Sequence, residues 1–273
     1  MSSIKKDSNY VTPSRYISGR IVEYDIRSAN ISVLRNSNYI TEKDYIRLKN
    51  LPKLEREKEI GLRIKESKEV YDVIADGIKS SRDMFIKQNN INTDNIVRIA
   101  NDAIYVNTPI DLQYTKFGDY IEFVPKSVSN VFVKLNQIYL FLGFRNDGNI
   151  SVDVKGISDD MCRLHEPFMI SSIVTTLILL ERSGVVSSVN YISELCENYL
   201  HYNLPVGYYR EFNAFSCYRI KDLFKEYNPF GSGTLGIDKM TEEYKYQHDI
   251  KYNNFILREL WSIIVEIYTR TVH

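Results

Sequence analysis

A chain of 273 residues with 44% hydrophobic and 26% charged content has the size and composition of a globular protein, and these proportions exclude a disordered one. Its 35 lysines and arginines balance its 35 aspartates and glutamates. The balance is uneven, because residues 1–68 hold 15 basic against 9 acidic side chains, a net of +6 that leaves −6 for the remainder. A basic first quarter points mildly toward phosphate-bearing partners, and it describes a solvated helical surface equally well.

Residues 1–15 are polar and read as a loose N-terminal arm, with no apolar run of the kind a signal peptide needs. The segment Arg20-Ile21-Val22-Glu23-Tyr24-Asp25-Ile26 is an apolar-rich strand entered through Gly19, and Ser28 to Leu34 follows as a turn or short helix. Thr41 with Asp44 three residues later has the form of a helix start, and Pro52 breaks that helix. From Lys53 the pattern is helical almost to Lys87, dense in charge, with Gly61 and Gly77 as its weak points. The turn cluster at 89–95 leads into two apolar runs, 96–100 and 103–106. Between them lie Asn101 and Asp102, which predicts a β-hairpin with that pair at its tip. Strands are expected at 120–124, 131–144 and 150–154, the last entered through the Asn146-Asp147-Gly148-Asn149 turn.

Past Gly156 the pattern becomes helical, at about 166–182, 189–201 and 240–270. In the last of these Leu257, Leu260, Trp261, Ile264 and Tyr268 fall at three- and four-residue spacings. The expected fold is therefore α+β, with a domain over 16–158 that carries a basic helical insertion at 41–68, followed by a helical domain over 159–273. The longest apolar stretch, Phe168 to Leu180, is too short to span a membrane. Cys162, Cys196 and Cys217 are odd in number and lack C-x-x-C spacing, which favours reduced thiols in a cytoplasmic setting. The glycine-rich run Gly231-Ser232-Gly233-Thr234-Leu235-Gly236 follows Asn228-Pro229-Phe230 and no strand, so it reads as a loop and not as a dinucleotide site.

The chemistry-bearing pattern is a strand ending in Asp25 and a hairpin tipped by Asp102. Transfer of a nucleotidyl group uses two divalent ions, one at the attacking hydroxyl and one at the triphosphate. Magnesium prefers carboxylates and water, so two aspartates from separate strands converging on one point suit it. The run Tyr24-Asp25-Ile26-Arg27-Ser28-Ala29-Asn30-Ile31-Ser32-Val33-Leu34 resembles the first palm motif of family B DNA polymerases, Asp-x-x-Ser-Leu-Tyr-Pro-Ser-Ile-Ile, with Asp25, Ser28 and Ser32 on its aspartate and two serines. Arg98-Ile99-Ala100-Asn101-Asp102-Ala103-Ile104-Tyr105-Val106 is similar to that family's later Tyr-Gly-Asp-Thr-Asp-Ser-Ile-Phe-Val hairpin, with Asp102 on the second aspartate. Between the two, Ile74, Ala75, Ile78, Arg82 and Ile86 resemble the palm helix behind the fingers. Tyr139 and then Lys155-Gly156 fall where the family carries Lys-Lys-x-Tyr and Lys-Gly.

The resemblance covers about residues 16–160. It implies an antiparallel-sheet palm with short helical fingers and a helical thumb-like domain. It also implies a minimal phage or viral nucleotidyltransferase acting on nucleoside triphosphates and nucleic acid in the host cytoplasm. Asp25 and Asp102, with the Ile26 carbonyl, would hold magnesium or manganese. Ser28, Asn30, Arg56, Lys58, Arg63, Lys65 and Arg82 would face the nucleotide, and Tyr139 and Lys155 the nucleic acid. The alternative is an inactive palm serving as a binding or assembly subunit among other viral replication proteins. The departures are specific: Ala100 replaces the first hairpin aspartate, Asn30 stands where a sugar-gating tyrosine would be, and Asn136 and Gln137 replace two template-gripping lysines. No Asn-x-x-x-Tyr-Gly fingers motif is present.

Overall fold

In a computed structural model the described residues are 9–135, 138–144, 150–156, 171–201, 203 and 262–266. The chain divides into two compact units, Met1–Phe132 with Leu142–Ser151, and Val133–Phe141 with Val152–His273. The expected domain boundary at 158 and most of the expected helix at 240–270 lie outside the described residues, as do Cys162, Cys217 and the glycine-rich run at 231–236.

The first unit is α+β. Its elements begin with β1 (Asn9–Val11), β2 (Tyr16–Ile26) and four helices, α1 (Ala29–Asn36), α2 (Glu42–Lys49), α3 (Lys53–Glu66) and α4 (Lys68–Gln88). Strands β3 (Ile96–Ala100), β4 (Ala103–Asn107), β5 (Lys116–Phe117) and β6 (Ile121–Leu135) follow, and the sheet continues with β7 (Ile138–Phe144) and β8 (Ile150–Lys155). The strand order is β1-β3-β4-β2-β6-β7-β8, with β5 pairing β6. Asn9–Val11, within the stretch expected as an arm, pairs antiparallel with β3, Tyr10 opposite Ile99.

Alternation along β2 sorts its residues onto two faces. Val22, Tyr24 and Ile26 join Ile99, Ile104, Val106, Phe123 and the α4 residue Phe85 in one buried cluster. Phe85 stacks on Phe123 with ring centroids 4.3 Å apart and lies 5.2 Å from Tyr24. The odd-numbered residues Ile21, Glu23 and Asp25 therefore look to the other face, away from the helices. That alternation is what leaves two carboxylates of an otherwise apolar strand on a single surface.

Local signals explain most element ends. Thr41 caps α2, its hydroxyl oxygen accepting the Asp44 N–H at 3.2 Å. The long charged stretch breaks at Ser67, whose backbone is extended at φ −142° and ψ 118°, and not at either glycine. Gly77 instead lies where α4 meets α1. A Cβ there would stand 2.2 Å from Val33 Cγ1, so only glycine admits this approach. Gly61 has open space around it. The break expected between 124 and 131 does not occur, because β6 runs unbroken through Pro125. Proline removes one donor from a strand and does not by itself end it.

In the second unit α5 (Ser171–Ser183) and α6 (Val185–Leu200) pack together around Ile173, Leu177 and Ile192. Gly184, at φ +83°, makes the turn between them. The Ser188 hydroxyl donates to the Thr176 carbonyl at 3.0 Å. Among the described residues no helix is long and apolar enough to cross a membrane.

Candidate active site

The hairpin forms as its spacing predicts. Strands β3 and β4 pair with Ala100 opposite Ala103, and Asn101 takes φ +51° at the tip, a conformation asparagine tolerates. Strand β4 also pairs antiparallel with β2, and Asp25 stands opposite Ala103, one residue from Asp102. The Ile26 N–H donates to the Asp102 carbonyl at 3.4 Å, tying the end of the strand to the tip. Two aspartates separated by 77 positions thus share one corner of the sheet.

Their electrostatics follow from that proximity. Burial, and then the negative charge of Asp25, push the Asp102 carboxyl up from 3.8 to about 6. The Lys126 ammonium of β6 donates to Asp25 Oδ2 at 3.2 Å and also lies 3.4 Å from Glu23 Oε1. Burial lowers the Lys126 pKa, but the Asp25 hydrogen bond and the Glu23 charge outweigh it and raise it overall. Glu23 is buried, and the Ser127 hydroxyl donates to its second oxygen at 2.7 Å. Asp25 Oδ1 is buried and accepts no hydrogen bond among the described residues.

The hairpin tip is held from behind. Arg82 is buried on α4, and its guanidinium donates to the Asn101 carbonyl at 2.7 Å. Burial lowers the Arg82 pKa, while the charges of Asp83 and Asp102 oppose that shift. This contact is to backbone, so Arg82 fixes where Asp102 sits.

The chain belongs to the bacteriophage PBS1 gene 130 protein family. That family's sequence model matches residues 2–265. No curated protein matches the chain.

In this phage protein the other expected site residues fall on several elements. Ser28 enters α1 in a left-handed conformation at φ +52°, and Ser32 donates its hydroxyl to the Arg27 carbonyl at 2.9 Å. Asn30 is half-buried in the first turn of α1. The basic residues of α3 divide: Lys58 and Lys65 are exposed and Arg56 is half-buried. Arg63 donates to Asp44 and to Glu59, each at 2.8 Å, and Arg47 joins the same two carboxylates. The hydrogen bonds from Arg47 and then Arg63 hold the Glu59 carboxyl down at about 2. Arg63 thus clamps α3 to α2. Tyr139 and Lys155 lie in the second unit, where Lys155 pairs with Asp153 at 3.0 Å.

Glu23, Lys126 and Ser127 were not among the residues the sequence singled out. Glu23 carried a signal, since a glutamate two positions before Asp25 in an apolar strand shares its face. Lys126 carried none, because pairing over 101 positions is set by the neighbour relation of β2 and β6. Among the described residues no group of three or more histidine, cysteine, aspartate or glutamate side chains converges as a metal cage.

Proposed function

We propose that Asp25 and Asp102 form the metal-binding centre of a minimal palm-type nucleotidyltransferase of the phage. One observation carries the reading: two carboxylates from a strand end and a neighbouring hairpin tip lie side by side, and one of their oxygens, Asp25 Oδ1, is buried with no hydrogen-bond donor among the described residues. An orphaned buried carboxylate oxygen is costly unless a donor or a cation meets it. Magnesium is commonly held by one or two carboxylates with water and substrate phosphates, so the pair does not need a third side chain. Asp25, Asp102 and the Ile26 carbonyl would hold the ion, which supplies charge stabilisation and activation of a hydroxyl nucleophile. Asp25 is the fixed partner, anchored in β2, and Asp102 is positioned by Arg82 through the hairpin backbone. Ser28 and Asn30, at the start of α1 just after Asp25, would meet the nucleotide sugar and phosphates. Nucleoside triphosphates and nucleic acid are the partners this reading requires, and the host cytoplasm is the compartment that supplies them.

A second reading is an inactive palm used as a binding or assembly subunit. The observation favouring it is the α2–α3 network, in which Arg63 of the basic helix is already committed to Asp44 and Glu59. Thermal unfolding with millimolar manganese separates the two. An active centre raises the melting temperature by mass action, and Asp25→Asn abolishes that rise. A wild-type melting curve indifferent to manganese leaves the assembly reading.

A further inference from the structure

Lys126 lays its ammonium across two carboxylates of β2, and its geometry differs from that of a surface ion pair. Its side chain is 57% exposed, whereas the Glu23 side chain is 4% exposed. Glu23 is also fixed from the far side by Ser127, so one anchor of the lysine is rigid. The other anchor, Asp25 Oδ2, belongs to the carboxylate whose second oxygen meets no hydrogen-bond donor among the described residues. A cation arriving at Asp25 therefore meets a site already half neutralised.

We infer that Lys126 is the resident counter-ion of the aspartate pair and sets its affinity for a divalent cation, which must displace the ammonium from Asp25. This rests on the metal-centre reading above. The displaced lysine is not lost, because the buried Glu23 carboxylate retains it, and the exchange at Asp25 requires only a side-chain rotation of a largely exposed residue. The physical trade is direct. A dication near Asp25 is repelled by an ammonium a few ångströms away, and it gains a full carboxylate once that ammonium is removed.

The experiment is manganese binding to the full chain, followed by calorimetry and by electron paramagnetic resonance of free manganese. Lys126→Met and Lys126→Gln should each bind manganese at least tenfold tighter than wild type. Lys126→Arg, which keeps the charge, should stay within about threefold of wild type. Lys116→Met serves as the charge control, since Lys116 pairs with Glu122 and not with the aspartates, and it should leave the affinity unchanged. Should the methionine variant unfold because Glu23 loses its cation, the glutamine variant retains a donor for that carboxylate. Wild-type binding with no gain in either neutral variant overturns the role of Lys126 and leaves the metal centre standing. Binding in the neutral variants alone supports the inference in its strongest form. No binding in wild type or in either neutral variant overturns both. An equal gain in Lys116→Met overturns the inference, because general charge would then account for the effect.

Discussion

Replacing Asp102 by asparagine should stabilise the metal-free protein at neutral pH, which is the reverse of what deleting a structural side chain does. The carboxyl has its pKa raised from 3.8 to about 6 by burial and by Asp25. A raised carboxyl pKa means that the folded state holds the proton more tightly than the unfolded chain. Its contribution to stability is therefore complete below about pH 4 and is lost as pH rises through about 6. At 1.36 kcal/mol per pH unit the difference corresponds to ~3 kcal/mol, and solvent at the partly open hairpin tip screens it to about 1–2 kcal/mol. Asparagine removes the charge and keeps a donor that can reach Asp25. In urea melts with chelator present, Asp102→Asn should exceed wild type by about 1–2 kcal/mol at pH 7.5, and the gain should fall to about a third of that by pH 4.5 and vanish below it. A variant less stable than wild type at pH 7.5, or a difference that does not change with pH, would refute the like-charge account of this corner.

Three further outcomes follow from packing and position. Gly77→Ala forces a methyl group into Val33 and should cost about 1–3 kcal/mol, whereas Gly61→Ala, in open space on a helix, should gain about 0.5–1 kcal/mol; paired urea melts read both. Arg82→Met leaves the Asn101 carbonyl without its guanidinium donor and should destabilise the fold by about 1–3 kcal/mol while weakening manganese binding, a coupling that calorimetry on the folded variant detects. If the protein incorporates nucleotides, Asn30 in place of a bulky ring should allow ribonucleotides and deoxyribonucleotides within about tenfold, roughly 1.4 kcal/mol, and Asn30→Tyr should restore a deoxyribonucleotide preference; a wild-type preference above about a hundredfold in primer extension shows that Asn30 does not lie under the sugar.

What the sequence determined by itself was whatever depends on nearest neighbours in the chain. The apolar runs flanking Asn101 and Asp102 sufficed to predict the hairpin, because a two-residue connection leaves few alternatives for two adjacent strands. Thr41 and Asp44 marked the α2 start for the same reason, a cap being a contact across three residues. Local cues misled where a residue has two compatible uses. Glycine weakens a helix but also lets two helices approach, and at Gly77 the second use prevailed. Only the tertiary structure decided how the site is composed. The pairing of β2 with β4 brings Asp25 to Asp102, and the placement of β6 beside β2 lays Lys126 across Glu23 and Asp25. No local pattern encodes these partners, because which strands become neighbours is settled by burial of the apolar face against Phe85 and α4, not by the residues that end up on the opposite one.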